Sequence, residues 1–432
     1  MFIRISNISF TRANVLLCLA SLFLLNAIPA FAKKQLTIAA IGQSGEISSA
    51  YRTLSAKFNQ QIQDDVEIKF LMKPDALFKQ TLGDILRDNH KVDIVIWHAG
   101  ERLKKYVELG LVLPISDIWQ QPSLKNNYSA AIRKAVTYHQ QQFALPFSYY
   151  LWGMYYKKSL LKRLKLTPPT SWAEFEQTLA IFKQNNITPI FIGTRNLWPV
   201  GIWFEYLNLR LNGFDYHEQF LKGQISAHDK GIQQLLKKWQ MMIEKGYFFK
   251  EHHNKTLAHG VPYIYREQVG LMLAGNVIES QLPSLVINDL SLFPFPAINN
   301  NRQNIQVTPL DIMFISSNSQ QVELAKKFLL FMANADIQQQ HNQTIHQIPV
   351  NTKAQLTNSE IERQTIKTLN NAEKLTLFFD REIDEQFGKD NMQIWREFID
   401  NPDLHATTNK MEQVRLKFLN HQNKINTLKV KR

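Results

Sequence analysis

The sequence predicts an α/β fold in which strands of a largely parallel sheet are covered by helices on both faces. Two observations carry this. Continuous apolar runs of strand length alternate with segments whose apolar residues recur at helical spacing. That alternation is the signature of strands buried on both faces by crossover helices. A third observation sets the scale: 432 residues are enough for two cores without disulfide staples.

Taken in order, Gln35 to Ile41 is the first strand, and Gln43-Ser44-Gly45-Glu46 forms a polar turn. Tyr51, Leu54, Phe58 and Ile62 then fall on one helical face. Val66 to Leu71 is a second strand, Leu77, Leu82, Ile85 and Leu86 mark a second helix, and Val92 to Ile96 is a third strand. Open α/β sheets bind ligands beyond the carboxyl ends of their strands. The turns singled out are Gln43 to Glu46, Lys73 to Asp75, and Trp97 to Arg102.

Further along, Pro146 ends a strand-like run, and Phe147, Tyr149, Tyr150, Trp152, Tyr155 and Tyr156 crowd behind it. Pro168-Pro169-Thr170-Ser171-Trp172 breaks the chain and opens another helix. Pro189 to Gly193 is a strand entering the loop Thr194 to Pro199. Leu236, Trp239, Met242 and Ile243 make an amphipathic helix that stops at Gly246. Gln268 to Asn276 is a strand with a glycine turn, Val322 to Met332 is a helix, and the final segment is helical. From Asn423 the polar, basic tail is expected to fray.

At the N-terminus Arg4 and Arg12 precede an apolar run, Val15 to Leu25, too short for a comfortable membrane span. Pro29 breaks the run and Ala30-Phe31-Ala32 offers the small-x-small cleavage pattern. A cleavable signal peptide over residues 1–32 and export to the periplasm are expected. Cys18, inside that run, is the only cysteine, which excludes disulfides, thiolate catalysis and cysteine metal sites from the mature chain. The net charge of +13 comes from scattered basic residues, and in an exported chain it does not point to nucleic acid. An anionic ligand or envelope surface remains open beside a merely solvated surface.

The aromatic block from Phe143 to Phe175 resembles extracellular solute-binding proteins of ABC transporters, in the carbohydrate-binding family that includes maltose-binding protein. Asp93-Ile94-Val95-Ile96-Trp97 with Glu101-Arg102, Tyr106 and Gly110-Leu111 is similar to that family's strand, acid-arginine pair and helix ending, with one extra residue before Glu101. Phe379-Asp380-Arg381 resembles a cleft-edge motif of sugar-binding members. The resemblance implies a two-lobe periplasmic-binding-protein fold with three hinge crossovers near residues 148, 294 and 333. The lobes would be 33–148 with 295–333, and 149–294 with 334–432. It implies a carbohydrate ligand gripped between the lobes, with Gln43, Glu46, Trp97, Glu101, Arg102, Tyr149, Tyr150, Trp152, Trp198, Asn276, Asp311, Asp380 and Arg381 as candidate contacts. Trp198 is the foremost of these. Trp97 fits core or cleft equally, Trp198 also fits burial under the helix carrying Trp203 and Tyr206, and Glu101 and Arg102 also fit a surface charge pair. Asp311 also fits a turn-forming aspartate, and Asp380 with Arg381 also fits a local ion pair. Val277 stands where relatives have a ligand-facing tryptophan, which implies a selectivity unlike maltodextrin. Arg102 and the net charge leave an acidic oligosaccharide open.

Catalysis is not expected: no G-x-S-x-G elbow, P-loop or H-E-x-x-H helix occurs, and no spacing singles out a carboxylate pair. His252, His253 and His259 are expected to be solvated in a polar connector rather than zinc ligands. No cofactor or metal is expected. The expected partners are an ABC transporter permease or, alternatively, a periplasmic receptor domain for which the protein acts as sensory adaptor; a monomer is expected.

Overall fold

The computed structural model describes residues 34–42, 46–62, 66–88, 92–282, 284–298, 304–355 and 359–430. The expected signal peptide and Gln43 lie outside them. The chain begins with β1 (Lys34–Ile41), α1 (Glu46–Ile62), β2 (Val66–Lys73), α2 (Asp75–Arg87), β3 (Ile94–His98) and α3 (Glu101–Glu108). β1 runs parallel to β2 from Lys34↔Val66 to Ile41↔Lys73, and parallel to β3 on its other edge. α1 buries Leu54 and Phe58, and α2 buries Phe78, Leu82, Ile85 and Leu86, the residues whose spacing marked the helices.

β4 (Leu145–Tyr149) and β5 (Trp152–Lys157) follow, separated only by Tyr150 and Leu151. They belong to different sheets, so the chain changes core within those two residues. Next come α4 (Trp172–Gln184), β6 (Thr188–Phe191), α5 (Trp198–Leu211), α6 (Lys230–Glu244), β7 (Val269–Gly275) and β8 (Leu290–Phe293). α4 starts where sequence places it: Ser171 and Glu174 form a capping box, which satisfies backbone N–H groups that a helix start leaves orphaned. β9 (Ile305–Val307), β10 (Leu310–Ile315), α7 (Val322–Met332), α8 (Ala335–Ile345) and β11 (Ile348–Pro349) lead to α9 (Glu360–Asn370), β12 (Lys374–Thr376), α10 (Phe379–Glu382), α11 (Glu385–Asp400) and α12 (Leu404–Val430).

The six-stranded sheet has the order β11-β4-β10-β3-β1-β2 and the four-stranded sheet β8-β5-β7-β6; β9 pairs with β12. Parallel pairs arise where a helix returns the chain along the same sheet. Strands that re-enter from the other core, such as β10 against β3, pair antiparallel.

Each sheet has its own hydrophobic core. The first draws on residues from Leu36 to Phe147 and from Leu310 to Val350. The second draws on Tyr150 to Val307 and Ile361 to Met411. Two expected boundaries therefore move. The change expected near 294 comes after Val307, because Phe295 stacks on Tyr206 at 4.9 Å and Ile305 and Val307 are fully buried in the second core. The change expected near 333 comes after Val350, because α8 lies on the first core. His341 there stacks 5.5 Å from Tyr51, Asn342 donates to the Phe147 carbonyl at 3.0 Å, and Gln338 Oε1 accepts from Val350 N at 3.0 Å. Proline and helix-end signals mark where the chain turns, whereas burial decides which core a segment joins.

Two smaller expectations also change. His252 is only 2% exposed, not solvated. The helix α12 continues past Asn423 to Val430.

Candidate functional site

A cavity of about 310 Å³ lies between the two cores. The carboxyl ends of β1 and β3 present Ile41, Trp97 and His98 to it, as expected for an open α/β sheet. α2 adds Asp75 and Lys79, and β10 adds Asp311. From the second core come Tyr150 and Trp152 after the sheet change, Asn196 and Trp198 from the loop entering α5, and Phe378, Asp380 and Arg381 around α10. Tyr150 fits against the wall because residue 275 is glycine: a Cβ there would stand 2.7 Å from its ring.

One side of the cavity is an aromatic corner. Trp152 and Trp198 meet edge to face at 5.7 Å, and Phe378 lies 5.0 Å from Trp152 and 6.0 Å from Trp198. Trp152 is buried, and its Nε1 has no hydrogen-bond partner among the described residues.

The lining also carries a charged cluster. Arg381 Nη1 is 3.1 Å from Asp311 Oδ1, and its Nη2 donates to the Tyr150 hydroxyl at 2.8 Å. His98 Nδ1 lies 3.2 Å from the same Asp311 oxygen. Asp380 Oδ2 is 3.3 Å from Arg102 Nη2 and 3.6 Å from Lys79 Nζ, and Lys79 also pairs with Asp75 at 3.1 Å. Burial opposes ionisation of Asp380, but Lys79, Arg102 and Arg381 outweigh it and bring its pKa to about 2. Asp311 is likewise held low by Arg381 and His98 against the effect of burial. Burial, with Arg381 beside it, lowers His98 to about 4, so its imidazole is neutral at neutral pH. Each cation on the wall thus already faces an aspartate.

The candidates from sequence divide accordingly. Tyr150, Trp152, Trp198, Asp311, Asp380 and Arg381 come together on the cavity wall. Trp97 is both core and wall: it is buried, donates to the Arg102 carbonyl at 3.3 Å and stacks on His98 at 5.0 Å. Arg102 stands behind the wall, where its Nε also donates to the Asp380 carbonyl at 2.8 Å. Glu101 is away from the cavity, paired with Lys104 at 2.8 Å, because adjacent helical residues point about 100° apart. Tyr149 is outside the lining and packs on the first core. Glu46 opens α1, and Val277 lies in the short 3₁₀ segment after β7. Lys79, His98, Asn196, Gln347 and Phe378 were missed. His98 lies inside the singled-out turn Trp97 to Arg102, although it is not among the candidate contacts, and Lys79 lies one turn beyond the marked Asp75, so proximity to marked turns was their available signal.

Asn276 belongs elsewhere. Its Oδ1 accepts from Leu151 N at 3.0 Å, and its Nδ2 reaches Tyr155, Glu279 and Thr365. This network braces the residues where the chain changes sheet, beside a second cavity of about 510 Å³. Burial raises Glu279 to about 7, although hydrogen bonds from Asn276 and Tyr155 oppose the shift. A carboxyl whose folded pKa exceeds its unfolded value favours folding while protonated. That contribution is present below about 4.5 and lost as pH rises through about 7. Glu279→Gln keeps the accepting oxygen, so it is expected to match wild type near pH 5 and to melt higher than wild type near pH 8. Thermal melts across that range check this, and a pH-independent difference refutes it.

The match to known proteins covers most of the chain. The family model described as bacterial extracellular solute-binding protein matches residues 53–368. An uncharacterized ABC transporter extracellular-binding protein of Pyrococcus horikoshii is 24% identical over 346 residues, 76% of this chain and 75% of the relative. A multiple sugar-binding protein of Streptococcus mutans is 21% identical over 324 residues, 66% of this chain and 75% of the relative. Among solved structures, a bacterial solute receptor described as having an exclusive preference for b-D-galactopyranose superposes with a TM-score of 0.84 at 19% identity, covering 90% of this chain and 99% of that one. A chitin oligosaccharide binding protein gives a TM-score of 0.78 at 16% identity, covering 88% of this chain and 98% of that one. TM-scores of 0.84 and 0.78 over most of the chain show a shared two-lobe fold. No described helix is long and apolar enough to cross a membrane.

Proposed function

Because this chain belongs to the bacterial extracellular solute-binding proteins, we propose that it captures a short neutral saccharide in the cavity between its cores and delivers it to an ABC transporter permease. The observation that carries the reading is one cavity lined by both an aromatic corner and a hydrogen-bonding charged cluster, with residues from both cores. Sugars need both: their C–H faces pack on flat rings, and their hydroxyls need paired donors and acceptors. The sugar-binding name of the Streptococcus mutans relative supports the same class. A volume of about 310 Å³ is at the small end of the roughly 300–1,000 Å³ usual for ligand pockets, which favours one or two rings. Neutrality follows from charge pairing. Lys79, Arg102 and Arg381 each face an aspartate, so a uronate would compete with existing ion pairs. This departs from the acidic ligand that Arg102 and the net charge left open.

In this reading the two cores are lobes of a clamp. The ligand touches both walls only when they are closed, and that differential contact shifts the population toward closure. Residues 1–32 act as a signal peptide, and the mature protein works as a monomer in the periplasm. A thermal-shift and calorimetric screen of neutral and uronic mono- and oligosaccharides tests it. Stabilisation by a neutral sugar is expected; a response only to uronates, amino acids or polyamines would reject it.

Trp198 is only partly buried, so its removal leaves the core intact. Packing a sugar face on its indole is worth roughly 1–2 kcal/mol. Trp198→Ala is therefore expected to weaken binding of the identified sugar about tenfold, read by calorimetry. Unchanged affinity would remove Trp198 from the site.

A further inference from the structure

Outside the cavity, His252, His253 and Asp400 bring their ligand atoms within 4.8 Å of one another. His252 Nε2 lies 3.1 Å from Asp400 Oδ1, and His253 Nε2 lies 2.7 Å from Asp400 Oδ2. We propose that these three side chains form a binding site for a divalent transition-metal cation of the zinc type.

Five structural features support it. Two imidazole nitrogens and a carboxylate are the ligand set preferred by Zn2+ and its neighbours over Mg2+ or Ca2+. Bonds of about 2.0–2.1 Å to one ion place tetrahedral ligand atoms roughly 3.4 Å apart. The 3.1 and 2.7 Å contacts to Asp400 need only open slightly, and the ligand atoms of the three residues are no more than 4.8 Å apart. His252 is already oriented. It is buried, its Nδ1 lies 2.8 Å from the Thr194 hydroxyl, and its carbonyl accepts from Thr194 N at 2.8 Å. A metal-ligating histidine usually has its second nitrogen held in this way. Asp400 is the last residue of α11, where the helix dipole favours a cation. The side chains of His253 and Asp400 are 44% and 43% exposed, which leaves an entry path and a coordination position for water. Arg396, one turn earlier on α11, acts against a dication and moderates the affinity.

The proton balance is explicit. Without metal, each imidazole can donate Nε2–H to Asp400. On binding, both Nε2 lone pairs turn to the ion, and each neutral ring carries its proton on Nδ1. For His252 that N–H then donates to Thr194 Oγ1, reversing the direction of this hydrogen bond. Thr194 opens the loop that carries Asn196 and Trp198, so the ion would tie that loop to the end of α11.

The test is calorimetric titration of the chelator-treated, tag-free chain with Zn2+ near pH 7.5. One saturable equivalent in the micromolar range is expected. His253→Ala, at an exposed position, is expected to weaken it at least tenfold, and His259→Ala is expected to leave it unchanged. Absence of a saturable equivalent, equal effects of the two variants, or Ca2+ binding as tightly as Zn2+ would each overturn the assignment.

Discussion

Arg381→Met is expected to weaken ligand binding by about thirtyfold or more. Arg381 rides on α10, whose Phe379 is packed in the second core, yet its guanidinium bonds to Asp311 and to the Leu310 carbonyl on the first. Its other nitrogen reaches the Tyr150 hydroxyl, at the residues where the chain changes sheet. One side chain therefore bolts the two cores together at the cavity wall. Methionine fills similar space but leaves the buried Asp311 without its guanidinium partner. Truncating one partner of a buried hydrogen-bonded charge pair costs roughly 2–5 kcal/mol, and about 2 kcal/mol is already thirtyfold in affinity. Arg381→Lys is expected to fall between, because a point charge cannot span Asp311 and Tyr150 as the fork does. Calorimetry reads the affinity, and melting of the ligand-free protein separates lost closure from lost folding. Wild-type affinity in the methionine variant would show that the bolt does not contribute to the bound state.

The strand and helix order near the N-terminus was legible because each element there carries an unambiguous period. Tyr51, Leu54 and Phe58 fill the face that the spacing assigns them. The cavity was legible where a motif or an aromatic cluster marked its residues, as in Phe379-Asp380-Arg381 and the block holding Tyr150 and Trp152. It was illegible where chemistry is assembled from afar: Lys79 meets Asp380 across 301 positions of sequence, and no local pattern announces that pair. Adjacent residues also parted company. Arg102 turns inward to Asp380 while Glu101 turns out to Lys104, a consequence of helical rotation that sequence fixes only once the buried face is known. His252 and His253 parted in the same manner, one buried on Thr194 and the other exposed. Asn276 was singled out by a glycine turn, but the turn delivers it to the backbone N–H of Leu151 rather than to the cavity. The core boundaries slipped because β9 and α8 lie beyond the proline and helix-end signals, and only packing assigns them.

Trp395→Ala is expected to cost about 3–5 kcal/mol of stability, the range for truncating a large buried aromatic. Trp395 is fully buried on α11, stacked on Phe204 of α5 at 3.8 Å and 10°, with Phe379 at 5.0 Å. The void would open directly beneath α10, the four-residue helix that presents Asp380 and Arg381. Glu205 holds the same helix by accepting from Phe379 N at 2.9 Å, but one hydrogen bond does not replace the lost packing. The melting temperature should drop on the order of 10 °C. Ligand affinity should fall as well, although Trp395 is not part of the cavity lining, because Arg381 loses its platform. Trp395→Phe retains a ring against Phe204 and should recover most of both. If the alanine variant melted lower but bound as wild type, α10 would be held by its polar contacts alone, and the aromatic stack would be structural without serving the site.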